Sequence, residues 1–211
     1  MTSCADILRE AEDGPAAAAR RLLGEVLDGP GAVHAVRHPL GFTCLPVVRD
    51  GPDGVCVHWW RGRNTARLTT EAIHAHSWDL LSFVLYGALR HDTVAVVDDP
   101  VAPTHRVFEV RSGRAGWDEI RGTARTVHIG PMRSARNGAG SRYRVRSGEF
   151  HANELVEADV ATLVFGRTLS GAVDLTLAAL DATDHTTKRQ TCDAVETRRV
   201  ARAVLDGLVT G

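Results

Sequence analysis

Apolar residues recur at helical spacing only near the two ends of the chain. Residues 3–28 are rich in alanine and leucine, and Leu22, Leu23, Val26 and Leu27 form one apolar edge, the stripe of an amphipathic helix that packs by one face. Asp13-Gly14-Pro15 predicts a break inside this segment, because proline fits the first turn of the helix that follows it. Such a lead packs on the outside of the remaining structure or on a partner subunit, so a homodimer is one arrangement open to the chain. At the other end, Asp193 and Glu196 have the spacing of a capping box. Val195, Ala203 or Val204, Leu205 and Leu208 then supply the apolar edge of a C-terminal helix.

Between these ends the pattern changes to short runs of β-branched and aromatic residues cut by turn formers. Phe42 to Val48 and Val55 to Arg61 flank Asp50-Gly51-Pro52-Asp53-Gly54 and read as a hairpin with a longer loop. Residues 65–76 lead into a pair of histidines, and Leu80 to Tyr86, Thr93 to Val97, Arg106 to Val110, Thr126 to Ile129, Val160 to Phe165 and Ala172 to Ala178 read as further strands. The basic, glycine-containing piece Met132 to Arg142 reads as a mobile loop that could cover the mouth of a barrel. Many short strands between terminal helices predict an antiparallel barrel or sandwich. The expected organisation is a helical extension over 1–30, a β-barrel over 31–180 and a C-terminal helix over 190–211.

Composition narrows the function classes. A chain of 211 residues suits one domain with a sizeable core. A formal net charge of −1 offers no field for nucleic acid or a membrane surface, and no stretch approaches the run of about 18 apolar residues that a membrane helix needs. The expected partner is a small molecule. The first residues lack both a basic segment and an apolar run, which predicts a cytoplasmic protein with reduced thiols. Cys4, Cys44, Cys56 and Cys192 show no Cys-x-x-Cys spacing. Cys44 and Cys56 fall on strands expected to pair, and they read as small apolar core fillers.

The candidate chemistry lies in residues 73–87. On a strand, His74 and His76 point to one face because side chains alternate with period two. Two imidazoles aimed at one point inside a barrel suit a transition metal held by neutral ring nitrogens. The candidate third ligand is His151, where Gly148 can make a tight bend just before a short strand. His58 could face the same space, while His34, His38, His91, His105, His128 and His185 read as surface or structural. Tyr86 and Tyr143 are candidate proton or hydrogen-bond donors, and Glu149, sharing strand parity with His151, is a candidate general base. Arg61, Arg63, Arg142 and Arg144 are candidates to hold a substrate carboxylate.

His74, His76 and Gly87 resemble the first cupin motif, with Leu80 standing where that motif has glutamate. Gly148 and His151 resemble the second, with Arg146 in place of its proline. The resemblance covers roughly the central half of the chain. It implies an all-β fold, a cupin-like double-stranded β-helix (jelly-roll barrel) with N- and C-terminal helices. A three-histidine set without the carboxylate is similar to the thiol dioxygenase-like branch. That likeness implies a transition metal, iron(II) first, with Zn, Ni, Mn or Cu also admitted, and an oxygenase using O2 on a small acidic or thiol-bearing metabolite. Non-redox isomerases or lyases and non-catalytic ligand-binding proteins occur on the same barrel and stay open as alternatives. Asp79 stands one residue before the missing glutamate, and a one-residue shift turns a strand side chain to the opposite face, so Asp79 is expected away from the metal.

Overall fold

The computed structural model describes residues 3–29, 31, 33–61, 67–113 and 116–210. The chain opens with α1 (Cys4–Asp13) and α2 (Pro15–Asp28), then runs through β1 (Val36–Arg37), β2 (Thr43–Asp50), β3 (Asp53–Arg61), β4 (His74–Ala75), β5 (Trp78–Tyr86), β6 (Ala88–Asp98) and β7 (His105–Ser112). It continues with β8 (Trp117–Gly138), β9 (Arg142–Val145), β10 (His151–Leu155), β11 (Asp159–Thr168), β12 (Asp174–Ala178), β13 (His185–Lys188) and β14 (Gln190–Thr191), and ends in α3 (Ala194–Thr210). Strands β14-β1-β2-β3-β11-β5-β9 form one sheet and β13-β8-β6-β10-β4-β12-β7 the other. The long β8 pairs with β7 over its first half and with β6 over its second. Hydrogen bonding therefore runs around the second sheet and back to β8, and the two antiparallel sheets make a near-barrel jelly roll of the cupin-like form expected.

The helices explain why the first sheet is apolar on both faces. Ser3 caps α1 through a reciprocal pair with Asp6, and α2 begins at Pro15 after Gly14, as the break in the sequence requires. Ile7, Leu22, Leu23, Val204 and Leu208 pack with Val55 and Val57 of β3 in one core cluster. Each large aliphatic side chain buried there contributes about 1.5–3 kcal/mol. Cys56, His58 and Trp60, the alternate residues of β3, line an interior cavity instead.

Several sequence expectations are corrected. Met132–Gly138 is not a loop: it is the second half of β8, in register with β6 from Val94↔Met132 to Ala88↔Gly138. Backbone pairing holds it while its side chains stay largely in solvent, so composition resembled a connector. The sheets do not stop at residue 180, because β13 pairs with β8 and β14 with β1. The first hairpin turns over two residues, with Asp50 opposite Asp53. Val195 is 67% exposed, and α3 buries Val200, Ala201, Val204 and Leu208, a stripe displaced around the helix from the one expected.

Candidate metal centre

The two histidine elements meet by strand pairing. His151, the first residue of β10, lies directly opposite His74 of β4, and His76 follows before β5 begins. The ring centroids are separated by 4.3 Å for His74–His151, 4.8 Å for His74–His76 and 5.0 Å for His76–His151. One ring nitrogen from each lies within 4.8 Å of the others. The turn before β10 is tied to the first element: the Gly148 N–H donates to the His76 carbonyl at 2.9 Å and the Ser147 hydroxyl donates to it at 3.2 Å. Gly148 has φ +79°, a left-handed conformation that costs glycine little.

Backbone carbonyls set the tautomers. The His74 ring bonds through Nδ1 to the Ala72 carbonyl at 2.9 Å, and His151 through Nδ1 to the Glu149 carbonyl at 3.3 Å. A carbonyl only accepts, so Nδ1 carries the proton and Nε2 keeps its lone pair. Burial lowers the pKa of His74, and burial with the neighbouring imidazoles holds His76 and His151 well below the ordinary value. Near neutral pH these are three uncharged nitrogen donors, the form in which histidine binds a metal. The residues present therefore fit an imidazole-ligated transition ion.

A cavity of about 530 Å³ opens beside these rings. Tyr143 lines it, stacks on His91 at 4.6 Å between centroids, and its hydroxyl accepts from the Asn153 amide at 3.5 Å. Burial raises the Tyr143 pKa, so its hydroxyl remains protonated. The His91 Nδ1–H donates to Asn153 Oδ1 at 3.0 Å, and its ring lies 5.4 Å from that of His151. His38, Phe42 and His58, which also line the cavity, stack at 4.4 and 4.3 Å.

Other candidates sit elsewhere. Tyr86 does not face the cavity: it lies in the core under the helices, so close to Gly207 that a Cβ there would meet its ring at 2.5 Å. Glu149 is not among the residues lining the cavity either, and its carboxylate accepts the Arg146 N–H at 3.0 Å within the turn. Arg61 pairs with Asp159 at 3.3 Å, Arg142 reaches Glu12 at 3.8 Å, and Arg144 is exposed; Arg63 lies outside the described residues. Asp79 is exposed and accepts the Ser147 N–H at 2.8 Å, on the opposite side from the rings as parity requires.

Tertiary structure adds groups that local pattern does not mark. Arg37, Arg49 and Arg189 line the cavity; Arg37 pairs with Glu196, and Arg189 with Asp118 at 3.3 Å. Asp174 also lines it and accepts the Ser77 N–H at 2.6 Å. Cys44 and Cys56 are not core fillers: both line the cavity, and their sulfur atoms and a His58 ring nitrogen lie within 4.8 Å of one another.

No family model matches the chain, and no curated protein does. Among solved structures, it is similar to hydroxypropylphosphonic acid epoxidase from S. wedmorenis, with a TM-score of 0.38 and 13% identity over 66% of this chain and 57% of that one. It is also similar to a hydroquinone 1,2-dioxygenase solved with Cd2+ and 4-hydroxybenzonitrile, with a TM-score of 0.35 and 12% identity over 59% of this chain and 63% of that one. Thus the chain spans 57% and 63% of the lengths of the two structures. Both likenesses are of outline, and the chemistry of the cavity rests on its own residues.

Proposed function

We propose that the chain is a metal-dependent enzyme in which His74, His76 and His151 hold iron(II), and that it oxygenates a small acidic or thiol-bearing metabolite in the cytoplasm. The observation that carries this reading is three neutral imidazoles, with nitrogens within 4.8 Å of one another, in the wall of a cavity of about 530 Å³. Bound iron(II) would supply Lewis acidity and one-electron chemistry with dioxygen.

The protein supplies orientation, charge and dryness. The carbonyls of Ala72 and Glu149 hold the His74 and His151 rings in the tautomer that presents Nε2. Leu80, Trp78 and Val164 form an apolar wall beside Tyr143, which keeps bulk water from the reacting groups. Tyr143 offers a protonated hydroxyl as hydrogen-bond or proton donor. Three uncharged ligands leave the ion its full positive charge, and Arg49 adds to it, so the metal-loaded cavity favours an anion.

The test is iron content and oxygen uptake after anaerobic reconstitution, with candidate acids and thiols supplied in turn. The expected result is about one iron per chain, with strong loss in His74→Ala, His76→Ala and His151→Ala and none in His105→Ala or His185→Ala. Full iron occupancy in the His151→Ala protein would overturn the ligand assignment. Substrate conversion without oxygen uptake would replace the oxygenase by a non-redox metal enzyme.

A further inference from the structure

We propose that Cys44, Cys56 and His58 form a second cation site, separate from the three-histidine group, which takes a thiophilic ion such as zinc(II) and leaves one position open to the cavity. Cys44 on β2 lies directly opposite His58 on β3, and Cys56 lies two residues before His58, opposite Pro46. Cross-strand partners share a face, and so do residues two apart on one strand. The three side chains therefore converge from rigid, paired backbone. Their ligand atoms lie within 4.8 Å of one another. Zinc–sulfur and zinc–nitrogen bonds of about 2.0–2.3 Å in a tetrahedron put ligand atoms about 3.5–4 Å apart, so closure takes about 1.3 Å at most, within reach of side-chain rotation.

The chemistry of the donors agrees. Both cysteines are free thiols. Arg49 approaches Cys56 Sγ with Nη1 at 3.4 Å. The Cys44 thiol as hydrogen-bond partner, helped by His58 and Arg49, holds the Cys56 pKa well below the ordinary thiol value, while Cys44 is raised. The thiolate form of Cys56 is thereby favoured, and any proton it still holds leaves to solvent as the ion binds. The second thiol releases its proton to solvent as its sulfur–metal bond forms, so charge and atoms balance. Two thiolates and one imidazole select a soft or borderline ion, whereas imidazoles alone suit a wider set. Three protein ligands with a fourth position open are the pattern of zinc sites that bind water or substrate. The two groups sit on different sheets and line one cavity, so an ion at the cysteines would share that cavity with the histidine group.

The experiment titrates Cd2+ into the metal-free and the Zn2+-loaded full-length chain under a phosphine reductant, following thiolate-to-metal charge-transfer absorption and bound metal by dialysis. Imidazole ligands alone do not give that band. The expected result is a band that saturates at about one Cd2+ per chain, survives in His151→Ala, develops only at higher Cd2+ when the protein is first loaded with Zn2+, and disappears in the Cys44→Ser/Cys56→Ser protein while iron binding persists. His58→Ala should keep the band but bind more weakly. Absence of the band in the wild-type chain overturns the proposal. So does its persistence in the double variant, which would assign it to Cys4 or Cys192. Circular dichroism verifies the fold of each variant; if the double variant does not fold, the wild-type and His151→Ala titrations still decide.

Discussion

Replacing Gly87 with alanine adds one carbon at the junction of β5 and β6, where two separate costs meet. The residue has φ +73°, and a left-handed conformation costs an L residue with a Cβ about 1–2 kcal/mol. The new atom would also lie 2.3 Å from the Asp159 carbonyl oxygen, 2.9 Å from Val160 Cγ2 and 3.1 Å from Val160 Cα. Those atoms belong to β11, which is hydrogen-bonded to β3 on one side and β5 on the other, so they cannot retreat without disturbing a ladder. Overpacking of this kind costs about 1–3 kcal/mol, and the two terms together give about 2–5 kcal/mol. Gly148→Ala isolates the first term: φ is +79° with nothing within 4 Å of the added carbon, so the loss is about 1–2 kcal/mol. Gly138 has neither a positive φ nor a neighbour within 4 Å, and alanine there should be neutral or stabilising by up to about 1 kcal/mol. Urea unfolding, read as a midpoint at unchanged slope, measures all three. Losses for Gly87→Ala and Gly148→Ala within about 0.5 kcal/mol of each other, or a destabilising Gly138→Ala, would refute the reasoning. Because the Gly148 turn bonds to the His76 carbonyl and leads to His151, Gly148→Ala should also weaken iron binding, and Gly138→Ala should not.

Asp79→Ala and Asp79→Asn should both retain iron, because this carboxylate is exposed and bonded to the Ser147 N–H; loss as complete as in a histidine variant, read by elemental analysis, would make it a ligand. Burial lowers the His38 pKa from 6.5 to about 3. A depressed folded-state pKa gives stability that is full above the unfolded value and is lost as pH falls through that interval, at up to about 1.4 kcal/mol per pH unit for each such group. Metal-free protein should therefore lose stability below about pH 6.5, and a His38→Phe variant followed by urea unfolding should show a shallower slope; an unchanged slope would mean His38 accepts a proton when folded. Deleting residues 1–12 removes Cys4, Ile7 and Ala11 from the core, so the unfolding midpoint should drop while iron content stays; a folded barrel without iron would contradict the separation of helices from site. Tyr143→Phe should keep iron stoichiometry and reduce turnover by about 10²-fold or more, and turnover equal to wild type would remove the tyrosine from the reaction.

Local pattern was sufficient wherever one strand or one helix carried the information. Period two put His74 and His76 on one side and Asp79 on the other, and glycine before His151 marked a bend whose φ is +79°. Periodicity near 3.6 and the Gly14-Pro15 break marked the helices at the ends. These features depend on residues a few positions apart, whose relative directions the backbone sets before any tertiary contact forms.

Parity alone failed where its premise was absent. Glu149 shares parity with His151 but belongs to a turn, and turn residues do not alternate. Tyr86 lies on a strand buried on both faces, so alternation divides its residues into two sets without saying which set meets the helices and which the cavity. Met132–Gly138 became strand because β6 offered it partners, an interaction between backbones that side-chain composition does not encode. The Cys44–Cys56–His58 cluster needs the exact register of the β2–β3 hairpin, and the arginines of the cavity come from separated strands and loops. The sequence alone determined the helix and strand alternation and one half of the histidine site. The sheet register decided the rest: Cys44 meets His58 through the register of the β2–β3 hairpin, whereas His151 meets His74 only as a distant cross-strand partner, a meeting that depends on how the whole barrel closes.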